Sequence, residues 1–210
     1  MKKILVFSNG EKIGDGIIKL PFIYDLKKYF HDSQIYWLTN GNTVYKSVLN
    51  SFVKNKLDYV YDNSNINYLP FVKLSNKYQL EQIKFDLVID TQKTFLKTLT
   101  LKKLKTKYFI SNSTNNLLSN IRSNRKFPYK KDVYYLENLY NMLELFLNKK
   151  IEKRSKIEVP QEIIIKVIGL ESNSNPEVSL EDGLIAVAMG EAAEQSIKQG
   201  RLINLEEIIN

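Results

Sequence analysis

The chain has 210 residues, is 43% apolar and carries a formal net charge of +8, with one histidine and no cysteine. A chain of this size can bury one good core with an appendage, and the missing cysteines exclude a disulfide framework or a thiolate metal site. With His31 alone, a multi-histidine metal site is excluded as well. No apolar run nears the roughly 18 residues needed to cross a bilayer, and the run after the first two lysines is too short for a signal peptide. A soluble, cytoplasmic protein is expected.

The charge is unevenly spread. Residues 1–150 hold 25 Lys/Arg against 12 Asp/Glu, and residues 151–210 hold 6 against 11. Every Tyr, Phe and Trp lies at or before Phe146, and every alanine lies after it (Ala186, Ala188, Ala192, Ala193). Two compositions meet in one chain. The expected division is a domain over 1–150, a polar linker over 151–176 and a tail over 177–210.

In chain order, a strand is expected over Lys3–Phe7, then a glycine-bearing loop, then a helix from Gly16 to Phe30. Pro21 in that helix predicts a kink or an irregular first turn, because proline has no N–H to donate. Further strands are expected over Gln34–Thr39, Leu57–Val60, Phe85–Asp90 and Lys107–Ser111. Helices are expected over Thr43–Val53, Thr94–Leu104 and Asp132–Leu147. In the last of these, Val133, Leu136, Leu139, Tyr140, Leu143 and Phe146 recur at three- and four-residue spacing. Several strands are continuous apolar runs, the pattern of strands covered on both faces. Their alternation with helices implies an α/β protein with a doubly wound parallel sheet. Residues 112–131, rich in Ser, Asn, Lys and Arg, read as a surface loop. The linker contains one β-like run, Ile163–Ile168. Ser179–Gln199 reads as an amphipathic helix, capped by Ser179 with Asp182 and stopped by Gly200.

Asp15 stands where the first loop becomes helix, at the carboxyl end of a parallel strand, where such sheets bind ligands. An ionised aspartate there can act as a general base. Its commoner use is as a helix N-cap or first-turn charge. Asp90 and Gln92 end a strand and would either line a cleft or cap the next helix. Lys12 and Lys19 flank Asp15 and would either meet anionic groups or, more commonly, be solvated. His31 reads as a helix-end residue. The basic cluster of Lys97, Lys102, Lys103, Lys105, Lys107, Arg122, Arg125 and Lys126 fits an anionic membrane surface or a plain solvated face. No nucleic acid partner is expected, since no helix-turn-helix, RRM-like or zinc-finger pattern occurs. Gly10, Gly14 and Gly16 do not form Gly-x-Gly-x-x-Gly, so no nicotinamide site is expected.

The run Ile4–Phe7, the polar loop Ser8–Ile13, Gly14-Asp15 and Pro21 six residues after the aspartate resemble the start of the family-9 glycosyltransferases, the lipopolysaccharide heptosyltransferases. The strand Gln34–Thr39 after His31-Asp32-Ser33, and Phe85-Asp-Leu-Val-Ile-Asp-Thr-Gln92, resemble that family in the same order over residues 1–150. The resemblance implies a single Rossmann-like domain, the N-terminal, acceptor-side half of a GT-B enzyme, followed here by a C-terminal helical tail. It implies Asp15 as the catalytic base on an acceptor hydroxyl, with Gly14, Lys12, Lys19, Asp90 and Gln92 on the acceptor side. The donor would be a nucleotide sugar such as ADP-heptose and the acceptor a lipopolysaccharide-core glycan or glycolipid at the inner face of the cytoplasmic membrane. Neither metal nor cofactor is implied.

The family's second Rossmann-like domain carries the donor pocket, marked by an Asp-Ser/Thr-Gly…His-Leu-Ala stretch, and nothing after Phe146 matches it. The expectation is therefore a truncated transferase whose donor domain would come from a partner. Residues 176–208, with Glu181-Asp-Gly-Leu184, Ala193-x-x-Ser196 and Gly200-Arg201, resemble instead the C-terminal tail of the Gfo/Idh/MocA oxidoreductases. The alternatives are a non-catalytic binding module for an anionic glycan or membrane surface, and the remnant of a gene fusion with an oxidoreductase.

Overall fold

The computed structural model describes residues 1–64, 66, 78–121, 128, 134–154, 156–157, 159–161 and 163–164, and then 189, 192, 195–196, 198–204 and 206–209. It divides into two units, Met1–Val159 and Pro160–Asn210. The boundary falls inside the 151–176 interval. In the first unit the strands are β1 (Lys3–Ser8), β2 (Gln34–Thr39), β3 (Tyr59–Tyr61), β4 (Phe85–Asp90) and β5 (Thr106–Ser111), with helices α1 (Ile13–Tyr29), α2 (Asn50–Val53), α3 (Phe95–Leu101) and α4 (Tyr135–Leu147).

All five strands are parallel, in the order β3-β2-β1-β4-β5. The first unit is thus an α/β domain with a Rossmann-like doubly wound sheet. The alternation of side chains along each strand feeds two cores. Ile4, Val6, Ile35, Trp37, Leu87 and Ile89 pack on one face with Leu20, Phe22 and Ile23 of α1 and Leu139, Tyr140 and Leu143 of α4. Leu5, Phe7, Tyr36, Leu38, Phe85 and Val88 pack on the other with Leu101 of α3 and Leu104. This two-sided burial explains the continuous apolar runs. A buried carboxylate pins α4 to α1: Asp25 Oδ2 accepts from the Tyr140 hydroxyl at 2.7 Å and from the Arg154 N–H at 2.8 Å.

Several sequence expectations shift. α1 begins at Ile13 rather than Gly16 and continues past Pro21 to Tyr29, so the proline does not end the helix. The helix expected over Thr43–Val53 is two pieces, a 3₁₀ turn Val44–Lys46 and α2. Thr43 starts the first by accepting the Tyr45 N–H, and Ser47, with φ −128° and ψ −112°, breaks it. The strand expected from Leu57 starts at Tyr59, because the Leu57 N–H still bonds back to Val53. Asp58 then joins β2 from the side, its carboxylate accepting the Ile35 N–H at 2.8 Å.

In the second unit, the β-like reading of Ile163–Ile168 is corrected for its described part. Ile163 and Ile164 are helical, their N–H groups bonded to the Pro160 carbonyl at 2.9 and 3.2 Å. Proline suits that first turn because its missing N–H would be unsatisfied there anyway. The expected cap at Ser179 and Asp182 lies outside the described residues. Gly200 does stop a helix: its φ is +63°, and its N–H bonds the Ser196 carbonyl at 2.9 Å, the left-handed cap that glycine adopts without strain. A short helix, Glu206–Ile209, follows. No helix among the described residues is long and apolar enough to cross a membrane.

Candidate functional site

In a sheet ordered 3-2-1-4-5, the strand order reverses between β1 and β4, and the crevice beyond their carboxyl ends is where ligands bind. Such a crevice is present, a cleft of about 220 Å³ lined by Ser8, Asn9, Gly10, Asp15, Ile18, Lys19, Gln92 and Tyr135. β1, α1 and the loop between them supply six of these residues, the β4–α3 connection supplies Gln92, and α4 supplies Tyr135.

Gly10 is what lets the chain leave β1 at that angle. Its φ is +144°, and a Cβ there would sit 2.8 Å from the Asn42 carbonyl oxygen. Gly14 differs, since a Cβ on it would meet nothing within 4 Å. It sits exposed beside Asp15 on a bare stretch of helix surface. Asp15 is the third residue of α1 and exposed, while Lys12 occupies the N-cap with no side-chain hydrogen bond to the helix. The capping role for Asp15 is therefore excluded, and its place in the first turn suits an anion. Among the described residues no hydrogen bond or ion pair engages its carboxylate.

Lys19 departs from the solvated reading. Its ammonium is buried one turn below Asp15, donating to Glu11 Oε1 and to Ser8 Oγ, both at 2.9 Å. It also lies 5.1 Å from the Tyr135 ring centre. Glu11, whose side chain is fully buried, accepts in addition from the Trp37 indole at 3.3 Å and the Thr43 hydroxyl at 2.6 Å. The floor of the cleft is thus a neutralised ion pair with most donors spoken for, which leaves Asp15 as the charge on the wall that no described residue pairs. Burial pushes the Tyr135 hydroxyl above its ordinary range, so it stays protonated.

Asp90 and Gln92 part company. Gln92 reaches the cleft, but Asp90 is fully buried behind it. Asp90 Oδ1 accepts the Gln92 N–H at 2.9 Å, and Oδ2 accepts the hydroxyls of Thr98 at 2.6 Å and Ser111 at 2.8 Å. Burial pushes its carboxyl up to about 6. Lys12 is exposed at the helix start and outside the cleft lining. Of the basic cluster, Lys97 bonds Asn9 at 2.7 Å, whereas Lys102, Lys105 and Lys107 are exposed towards the amino end of β5, the edge opposite the cleft. Arg122, Arg125 and Lys126 lie outside the described residues. His31 follows α1 and pairs with Asp32 at 2.8 Å, beside a hollow of about 470 Å³ at the amino edge. Among the described residues no cluster of three His, Cys, Asp or Glu side chains is placed to hold a metal ion.

Glu11, Ser8 and Tyr135 were not marked by the sequence. A charge pair at 11 and 19 spans a loop and a helix start, so no periodic pattern connects it, and Tyr135 comes from more than a hundred residues away.

No family model matches the chain and no curated protein matches it. Among solved structures, a family-9 glycosyltransferase from Veillonella parvula DSM 2008 superposes with a TM-score of 0.52 at 16% identity, covering 95% of this chain and 61% of that one. Over the part that the two chains share, the fold is like that of this glycosyltransferase. The E. coli heptosyltransferase WaaC, solved with ADP, matches with a TM-score of 0.47 at 14% identity, covering 73% of this chain and 49% of that one. The chain thus spans about half to three-fifths of the length of these glycosyltransferases. Neither is an oxidoreductase, and they do not show the oxidoreductase-tail resemblance of residues 176–208.

Proposed function

We propose that the unit Met1–Val159 supplies the acceptor-side half of a sugar-transfer site, with Asp15 as the general base. The observation that carries this reading is the Asp15 carboxylate, paired by no described residue, on the wall of the switch-point cleft, above a floor whose own charges cancel. Inverting transfer needs one carboxylate within reach of the attacking hydroxyl. The likeness to family-9 glycosyltransferases suggests a nucleotide-sugar donor, of the ADP-heptose kind, and a hydroxyl-bearing glycan acceptor such as a lipopolysaccharide core. Gln92 would hydrogen-bond the acceptor with its side-chain amide, and Gly14 would leave the approach to Asp15 open. Lys19 would hold the floor rather than bind an anion, which modifies the role expected for it.

The donor side would come from a second domain or a partner chain, as the part covered in the matched glycosyltransferases suggests. The tail over 177–210 would be a segment of separate origin. Work at the inner face of the cytoplasmic membrane would follow from a lipid-linked acceptor.

The test is transfer from ADP-heptose to a deacylated lipopolysaccharide-core acceptor, with a glycosyltransferase donor domain supplied as a second chain, followed by mass spectrometry. Asp15→Asn should lower turnover by about 10²–10⁴, the range for a lost general base. Undiminished turnover in that variant would remove Asp15 from the chemistry. Acceptor binding with no turnover even when the donor domain is supplied would support the non-catalytic binding module.

A further inference from the structure

Asp90 lies out of a ligand's reach, yet it joins every element on its side of the cleft. It ends β4, pairs in register with Phe7 of β1, and receives hydrogen bonds from the turn at Gln92, from Thr98 of α3 and from Ser111 at the end of β5. Its partners are themselves tied on. The Thr98 N–H bonds the Thr94 carbonyl at 3.1 Å, and Ser111 Oγ accepts the Ser113 N–H at 3.0 Å. Thr91, between Asp90 and Gln92, is bolted to the Phe7 carbonyl through both its N–H and its hydroxyl. The backbone N–H of Gln92 therefore has one adjustable anchor, the Asp90 carboxylate, and Gln92 is the residue that this connection contributes to the cleft lining.

We propose that Asp90 is a positioning residue, which sets where Gln92 stands on the cleft wall from a place no ligand touches. The consequence for sugar binding rests on the sugar-transfer reading above; the positioning itself does not.

The chemistry of the anchor makes the arrangement sensitive to pH. An ionised carboxylate can only accept, and it serves all three donors at once. When it takes up a proton, the proton belongs on Oδ2, because the Thr98 and Ser111 hydroxyls can rotate to accept it and the Gln92 amide cannot. The Gln92 bond then becomes a neutral one, roughly half as strong as a charge-assisted bond. Burial places this change at about pH 6, and the hydrogen bonds together with Lys97 on α3 hold it from going higher. Gln92, Thr98 and Ser111 are neutral, so among the described residues Lys97 is the charged group acting on Asp90.

The experiment is amide NMR of the full chain between pH 4.5 and 8. In the wild type the Gln92 N–H should shift with a midpoint near 6, accompanied by Thr98 and Ser111. Asp90→Asn should flatten that titration and leave the Gln92 amide near its low-pH position. Ser111→Ala, which removes one donor from the carboxylate, should move the midpoint upward and provides a reading should the Asn variant fail to fold. A Gln92 amide that stays flat between pH 5 and 7, or a midpoint unmoved in Ser111→Ala, overturns the proposal. Binding of a deacylated heptose-containing core oligosaccharide is measured alongside. An affinity that changes several-fold between pH 5 and 7 in the wild type but not in Asp90→Asn supports both readings. No binding at any pH counts against the sugar-transfer reading, and the amide titration still decides the positioning.

Discussion

Replacing Lys19 by methionine keeps the length of the side chain and removes the charge under the cleft. The variant leaves the Glu11 carboxylate, which has no solvent exposure, with the Trp37 indole at 3.3 Å and the Thr43 hydroxyl at 2.6 Å as its remaining donors. Breaking a buried ion pair from one side costs about 3–5 kcal/mol. Urea unfolding of the wild type and Lys19→Met at pH 7 measures this directly. The variant should lose about 3–5 kcal/mol. The double variant Glu11→Gln/Lys19→Met, which removes the stranded charge as well, should recover much of the loss. A deficit below about 1 kcal/mol in Lys19→Met would refute a buried and coupled pair.

Three further outcomes follow from the same geometry. Asp90 binds its proton more tightly in the folded protein than in the unfolded chain, whose value is 3.8. Its contribution to stability is therefore fully present below about pH 4 and lost as pH rises through about 6, on the order of 3 kcal/mol in all; Asp90→Asn should flatten that part of the pH–stability curve, and an unchanged slope between pH 4 and 6.5 would count against it. Gly10→Ala forces a side chain onto a positive-φ residue and against the Asn42 carbonyl, so it should cost about 1–3 kcal/mol from the backbone alone, whereas Gly14→Ala should cost none, both read by thermal unfolding. Tyr140→Phe removes the hydroxyl bonded to buried Asp25 at 2.7 Å and should cost about 1.5–3 kcal/mol.

The sheet was legible in the sequence because strands buried on both faces advertise themselves as apolar runs. Gln34–Thr39 and Phe85–Asp90 match to the residue, and the others lie within two residues of expectation. The short connections were less legible. Thr43–Val53 has helical composition, but a side-chain cap at Thr43 and a broken conformation at Ser47 divide it, and such local bonds compete with periodicity. At the cleft, Asp15 and Gln92 could be named because each follows a strand end. Asp90 could be found but not its role, since burial depends on α3 and β5 folding over it. Lys19 looked solvated because its partner, Glu11, is a neighbour only once the loop closes around Gly10. The amino-acid pattern carries the frame, while tertiary closure decides which charged groups face the cleft.

The central claim is that the carboxyl-edge cleft, rather than the larger hollow at the amino edge, receives the acceptor. Amide chemical-shift mapping of the full chain with a deacylated heptose-containing core oligosaccharide tests it most directly. Shifts centred on Gly10, Asp15, Gln92 and Tyr135, weakened in Asp15→Asn, are the expected result. Shifts centred on Tyr29, His31, Ser33 and Asp86 would contradict it.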